Sequence, residues 1–329
     1  MKFGPVPIDQ AVGAILAHSV ALPDGRLRKG KVIEAADLGP LEAAGLSEII
    51  VARLDPGDVG ENDAAAQLAC ALAPEADAAG LRIGKAATGR ANLFSTVIGV
   101  AEIDAAAINA VNAVNPMITV ATVPRWQRMG PGGMVATVKI IAYAVPRNDL
   151  DRACAVGRGA MRMRPTAYGS AALIQTSVDD DDGDKGHRAL HKRLEALAVP
   201  LAPKKVVPHR IEPLAQALTA SDAEVLFILT GSATSDLNDV APQAVRAAGG
   251  TVTHFGMPVD PGNLLFFGTL GDRPVIGLPG CARSPALNGA DWVLERLICG
   301  VTVTPADIAA MGVGGLLKEI PQRGRLREA

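Results

Sequence analysis

The amino-acid sequence predicts an α/β protein: a three-layer domain with a mostly parallel sheet, preceded by a smaller α+β domain. Three observations point there. From Ala171 onward, strand-like and helix-like segments alternate regularly, the pattern of a parallel sheet with helices on both faces. The first half lacks that rhythm and mixes short strands and helices with Gly/Pro turns. The chain has 329 residues, enough for two domains, and its 49% hydrophobic and 20% charged content excludes wholesale disorder. With aromatics at 3%, the cores must be built from Ala, Val, Leu and Ile.

Taken in order, Pro7 followed by Ile8, Ala11, Val12, Ile15 and Leu16 predicts a short amphipathic helix with proline in its first turn. A hairpin-like stretch rich in Gly and Lys follows, Pro23–Arg26 and then Lys29–Ile33. A helix over 36–44 ends at Gly45, and the β-branched run 48–54 is a strand. Helices are predicted over 61–73 and 104–114, the latter capped by Asp104, and a strand over 134–145. In the second half, strands are expected at 171–178, 204–207, 225–229, 251–255, 264–267 and 274–278. Between them lie helices marked by Leu190, Leu194 and Leu197, at 211–219, at 239–248 and at 285–298. The break at Arg164-Pro165-Thr166 places a boundary before the first regular strand. The expected domains are 1–168, 169–300 and a Gly-containing, basic tail or linker at 301–329.

Charge and cysteine usage narrow the function. Lys+Arg 32 against Asp+Glu 34 leaves a net charge of −2, without the basic surplus expected of a nucleic-acid partner. No apolar run is long enough to span a membrane, and Met1–Val12 has no signal-like apolar core. Cys70, Cys154, Cys281 and Cys299 lack metal-site or disulfide spacing, so a cytoplasmic location is expected.

Two loops carry the chemistry. Thr230-Gly231-Ser232-Ala233-Thr234-Ser235-Asp236-Leu237-Asn238-Asp239 follows a buried strand and opens a helix, so its N–H groups and hydroxyls can cradle an anion. Its two carboxylates suit an aminopyrimidine edge or Mg²⁺, or Ser235 or Asp239 simply caps the helix. The second loop, 277–285, also leaves a strand for a helix, with Ser284 as the expected N-cap and Pro285 at the first helical position. Arg283 either reaches an anion or is solvated in a tight turn, and Cys281, with no adjacent His, is a bystander thiol. The acidic run Asp179–Asp184 is either a self-repelling solvated loop or, through Asp179 and Asp182, a Mg²⁺ site, with Lys185, His187 and Arg188 beside it for an anion. His209 is a surface residue or a phosphate contact. Thr88–Asn92 is a polar loop suited to a pocket or a partner subunit. Asn109, Asn112 and Asn115 share one helical face, read as polar surface or a partner contact.

These motifs carry a resemblance. The strand–TGSATSDLNDVAPQAV–helix segment is similar to the Gly-rich ligand loop of molybdopterin-binding proteins. His254–Asn263 resembles that family's segment ending in Pro-Gly, and Pro274–Gly280 its GLPG loop. More faintly, Arg28–Ile33, Asp37-Leu38, Leu41, Gly45 and Ile49–Val51 look like the segment preceding the ligand domain in gephyrin-type molybdotransferases. The resemblance implies the molybdopterin-binding fold, molybdopterin as ligand, generally with Mg²⁺, and a role in molybdenum-cofactor biosynthesis, maturation or delivery. It implies Thr230, Gly231, Ser232, Thr234, Ser235, Gly280, Arg283 and Ser284 as ligand-binding residues, and Asp236 and Asp239 as the catalytic positions. It also implies a homo-oligomer and a nucleotidyltransferase domain or protein as partner.

The sequence departs from that pattern at three places. Thr234 stands where the family carries a further glycine, the stretch Thr176–Asp184 replaces an early Gly-Asp-Glu signature, and His209 replaces a catalytic acid. Binding without adenylyl transfer is the expectation. The alternatives are a non-catalytic scaffold for a nucleotidyltransferase and a nucleotide hydrolase of the competence-damage type. A dinucleotide-dependent oxidoreductase ranks last, because no GxGxxG follows the first strand.

Overall fold

The computed structural model describes residues 1–178 and 182–317. The chain forms two compact units, Met1–Val97 with Ala101–Met163, and Ile98–Val100 with Arg164–Ala329. Among the described residues no helix is long and apolar enough to cross a membrane.

In the first unit, residues 1–53 close around Ile8, Ala11, Ala14, Leu16, Ile33, Leu41, Ile49 and Val51. The expected helix over 7–16 does not form. Strand Lys2–Pro7 pairs antiparallel with strand Glu48–Arg53, Ile8–Gln10 makes one 3-10 turn, and Ile15–Leu16 is a short strand. Gly13 at φ +80° stops any helical continuation, and Gly13 N–H and Ala14 O bond instead to Ile33. Apolar residues three apart serve a turn as well as a helix, and the sheet decided between them. Strands Val20–Leu22 and Gly25–Leu27 form the hairpin, and helix Ala35–Ala43 follows.

Residues 59–163 of this unit have their own core, with Leu68, Leu72, Leu93, Val111, Ile118, Val138, Ile140 and Leu150 all fully buried. Helices Glu61–Leu72 and Ala105–Val114 form, and the Asp104 carboxylate accepts the Ala107 N–H at 3.0 Å. The long strand expected over 134–145 is two, Met134–Ile140 and Ala144–Pro146, because the second leaves to pair with Asp58–Gly60. On the asparagine face Asn109 and Asn112 are exposed and Asn115 is half-buried. Asn112 Nδ2 donates to Val120 O at 2.9 Å, Asn112 Oδ1 accepts Val120 N–H at 2.7 Å, and Asn115 donates to Asp149. Helix Arg147–Val156 had no clear sequence signal.

The second unit is built on a six-stranded sheet in the order Lys205–Pro208, Ala171–Ser177, Val225–Leu229, Arg273–Leu278, Phe266–Leu270, Thr251–Phe255. The first four are mutually parallel, and only Phe266–Leu270 runs against its neighbours. On one face, helices Ile211–Thr219 and Val240–Ala247 bury Leu214, Leu218, Ala244 and Val245 against Ile174, Leu226, Ile228 and Val275. Helices Asp184–Glu195 and Gly289–Ile298 pack against the sheet through strands Ala171–Ser177 and Arg273–Leu278. Helices on both faces explain why the central strands are apolar throughout.

Two expectations are corrected. The last long helix starts at Gly289, not at Pro285, and its cap is Asn288 in a capping box with Asp291 rather than Ser284. Residues 284–287 lie outside the helix, with Ser284 and Asn288 extended and the Ser284 and Ala286 carbonyls bonded to Arg193 instead. The stretch expected as a tail is packed as far as Leu317. Thr304 and Asp307 cap helix Pro305–Ala309, Ile308 and Met311 are buried, and Leu317 N–H bonds Asp260 O at 2.8 Å. Residues 318–329 lie outside the described ones. Cys299 is buried, and desolvation pushes its thiol up to about 12, so it stays protonated and inert.

Candidate functional site

In an open parallel sheet a ligand crevice forms beyond the carboxyl ends of the strands, where successive connections leave in opposite directions. Here strand Ala171–Ser177 sends the chain to the edge strand Lys205–Pro208, and the next connection returns to Val225–Leu229 on the other side. The switch point therefore lies between Ala171–Ser177 and Val225–Leu229.

Four strand ends are tied together there. Gly231 N–H donates to Thr176 Oγ1 at 3.0 Å, and the same hydroxyl lies 2.7 Å from His209 Nδ1. His209 N–H donates to Ser177 O at 3.0 Å, which fixes the histidine beside the end of the first strand. Arg283 Nη2 donates to Thr230 O at 2.8 Å, joining the 280–284 loop to the 230–239 loop. Gly231 is required by close approach: a Cβ there would sit 2.8 Å from Thr176 O and 3.0 Å from Val178 N. Gly280 is the opposite case, with only Arg283 Nη1 within 4 Å of an added Cβ, so its backbone is open.

Within the 230–239 loop the predicted residues divide into two groups. Thr230 and Thr234 are buried and their hydroxyls bond each other at 3.1 Å, so they shape the loop from inside. Ser232 and Ser235 are exposed. The Asp239 carboxylate accepts Val240 N–H at 2.7 Å and Ser235 N–H at 3.0 Å, and the Asp236 carboxylate accepts Asn238 N–H at 2.7 Å. Asp239 thus caps helix Val240–Ala247 and closes the loop, filling the helix start where an anion was expected to sit. Replacing Asp239 with alanine is expected to cost about 1 kcal/mol of unfolding free energy, the usual value of an N-cap. Urea titration checks it, and an unchanged midpoint would mean that the loop holds itself without the carboxylate.

Ser284 is exposed, its hydroxyl accepts Ala286 N–H, and its carbonyl is taken by Arg193. Cys281 is exposed, and its sulfur accepts a bond from Asn288 at 3.0 Å. Of the expected metal pair, Asp179 lies outside the described residues. Asp182 is exposed, accepts Asp184 N–H at 2.9 Å and lies 3.9 Å from Lys204. Lys204 also hydrogen-bonds Asp184 and holds that carboxyl below its ordinary range. Among the described residues no group of three or more His, Cys, Asp or Glu is arranged to hold a metal ion, so the Mg²⁺ expectation gains no support. Among the described residues the lysine neutralises Asp182 and Asp184 instead. His187 bonds Ala202 O, and Arg188 pairs with Asp184 on its own helix. In the first unit, Thr88 and Gly89 both have positive φ in a tight turn, held by Lys139 Nζ to Thr88 O and by Gly89 N–H to Asn62. The Thr88–Asn92 loop is therefore anchored within its own unit.

Two residues that position the site were missed in the sequence. Gln175 is 2% exposed, and its amide donates to Gly183 O at 2.8 Å, pinning the start of helix Asp184–Glu195 to the strand end. A glutamine inside an apolar strand was the available signal. Arg193 bonds Asp291 and the carbonyls of Ala189, Ala282, Ser284 and Ala286, which holds the 280–286 loop. Nothing in its helix distinguished it from a solvated arginine.

Comparison with known proteins gives three findings. Residues 5–53 match a family model described as a domain of unknown function, DUF8806. No curated protein matches the chain. Solved structures similar to it include the molybdopterin biosynthesis moea protein from Pyrococcus horikosii, at 16% identity and TM-score 0.33 over 91% of this chain and 75% of that one. Molybdenum cofactor biosynthesis protein B is 16% identical with TM-score 0.31, over 41% of this chain and 96% of that one. A molybdenum cofactor biosynthesis protein from Pyrococcus furiosus is 10% identical with TM-score 0.24, over 92% of this chain and 65% of that one.

Proposed function

We propose that the switch point of the second unit binds a phosphorylated pterin of the molybdopterin kind, and that the chain acts in molybdenum-cofactor biosynthesis or delivery. The observation that carries this reading is the tying of four strand-end loops at one place. Arg283 is bonded to Thr230 O, and Thr176 Oγ1 is shared between Gly231 N–H and His209. The pattern of those loops supplies the ligand class.

The donor set fits such a ligand in kind. Ser232 and Ser235 offer exposed hydroxyls, and Gly280 an open backbone, for phosphate oxygens. The exposed Asp236 carboxylate offers acceptor capacity beyond its bond to Asn238 for pterin N–H groups. Asp239 has an N–H on each oxygen and acts as the loop's clasp, and His209 stands where an acid would be needed. A histidine suits Mg²⁺ poorly. Binding without adenylyl transfer follows.

The test is titration of the full chain with molybdopterin, alone and with ATP and Mg²⁺. Saturable binding with no adenylylated product is expected. Replacing Ser232 with tryptophan should weaken that binding about tenfold or more while leaving the unfolding midpoint in place, because the residue is exposed. Unchanged affinity would remove the site from this loop, and robust adenylylation by the unmodified chain would return the protein to the catalytic branch.

A further inference from the structure

The first unit carries a concentration of positive charge that no part of the preceding reading uses. Ser19, Arg26, Arg28 and Lys29 line one solvent-facing cavity of about 640 Å³. Among the described residues none of the three cations pairs with a carboxylate, whereas the next basic residue, Lys31, is neutralised by Asp37. Unpaired cations around a concavity add their fields there and raise the local concentration of anions.

The backbone beneath them is fixed before any ligand arrives. Strands Val20–Leu22 and Gly25–Leu27 pair in register, Val20 with Leu27 and Leu22 with Gly25. The half-buried Leu27 packs against the core of residues 1–53, and the flanking Arg26 and Arg28 are exposed. The turn Arg28–Lys31 is closed by Lys31 N–H to Arg28 O at 3.3 Å and by Gly30 N–H to Leu16 O at 2.7 Å, with Gly30 at φ +85°. Lys29 N–H donates to Ser19 Oγ at 3.0 Å. That hydroxyl accepts from the backbone, so its own proton remains available to a ligand oxygen.

We propose that this cavity binds an oligophosphate chain, either a nucleoside triphosphate tail or inorganic tripolyphosphate. Two arginines can each grip phosphate oxygens through paired N–H groups. Lys29 adds a point charge and Ser19 a neutral donor. Three cations converging on one cavity select a multiply charged anion over a single phosphate. The site stands apart from the pterin reading, and its failure leaves that reading untouched.

The experiment is calorimetric titration of the full chain at low ionic strength with tripolyphosphate, ATP, orthophosphate and a short single-stranded RNA. Amide shifts of Ser19, Lys29 and Gly30 locate the ligand. Tripolyphosphate or ATP is expected to bind once and saturably with shifts at those three residues, and orthophosphate at least tenfold more weakly. Equal affinity for the first two identifies the phosphate chain as what is recognised, and tighter ATP binding identifies a nucleotide. Replacing Arg26 or Arg28 with alanine should lower affinity about tenfold each without changing the fold, since both side chains are exposed. Orthophosphate binding as tightly as tripolyphosphate, RNA binding more tightly than either, shifts confined to other residues, or full affinity in the Arg26→Ala/Arg28→Ala chain would each overturn the proposal.

Discussion

Arg193→Ala is expected to destabilise the second unit by about 3–5 kcal/mol, the cost of leaving one partner of a buried ion pair uncompensated. The side chains of Arg193 and Asp291 are 10% and 11% exposed. Nε donates to Asp291, Nη1 to the carbonyls of Ala189 and Ala282, and Nη2 to those of Ser284 and Ala286. Alanine removes the ion-pair partner of the Asp291 carboxylate and releases the 280–286 loop, so the proposed pterin binding should be lost along with stability. Lysine keeps the charge but not the planar fork, and should recover less than half of the loss. Trp292 sits beside Asp291 in the sequence, so its fluorescence in a Trp126→Phe background follows urea unfolding of this unit. A loss below about 1 kcal/mol would show that the loop stands without the clamp.

The second large effect is expected at the pair Phe266–Gly277. These residues face each other across the antiparallel strands, and a Cβ on Gly277 would lie 1.9 Å from a ring carbon of Phe266. The ring is fully buried and covers the glycine. Phe266→Ala should therefore cost about 3–5 kcal/mol, as large-to-small changes in cores do. Gly277→Ala should cost about 1–3 kcal/mol by forcing the ring aside. The double variant is the discriminating measurement, because without the ring the added methyl meets no clash. Its cost should fall short of the sum of the two singles by about 1 kcal/mol or more. Simple additivity in urea unfolding would mean that the sheet relaxes around the methyl and the ring is not what requires glycine.

Much of the second unit was legible because burial on both faces leaves long apolar strands separated by polar helix starts. Strands Val225–Leu229 and Thr251–Phe255 and helix Ile211–Thr219 lie at their expected bounds. The first unit was harder, because its strands are short and pair with distant segments. The run Pro7–Leu16 has helical spacing, yet beyond two local turn bonds, Ala11 N–H to Ile8 O and Ala14 N–H to Ala11 O, it bonds Ile33, Lys31 and Ser47, more than a dozen residues away. Met134–Val145 reads as one strand and is split by a change of partner.

For the site, sequence by itself determined the ingredients: two strand-to-helix loops, their hydroxyls and carboxylates, an arginine, and a histidine beside them. Their roles were decided by tertiary structure. Asp239 and Ser284 read equally as ligand residues or caps, and only the neighbours within hydrogen-bonding reach distinguish these. Asp239 caps its helix, whereas Asn288 takes the position expected of Ser284. Arg283 stands out in its loop, whereas Arg193 reads as a solvated helix arginine. Arg193 is buried against Asp291 and four carbonyls, and Arg283 bridges two loops beside the strand ends. The physical reason is range: periodicity and propensity act over a few residues, whereas burial and ion pairing depend on groups that only the fold brings together.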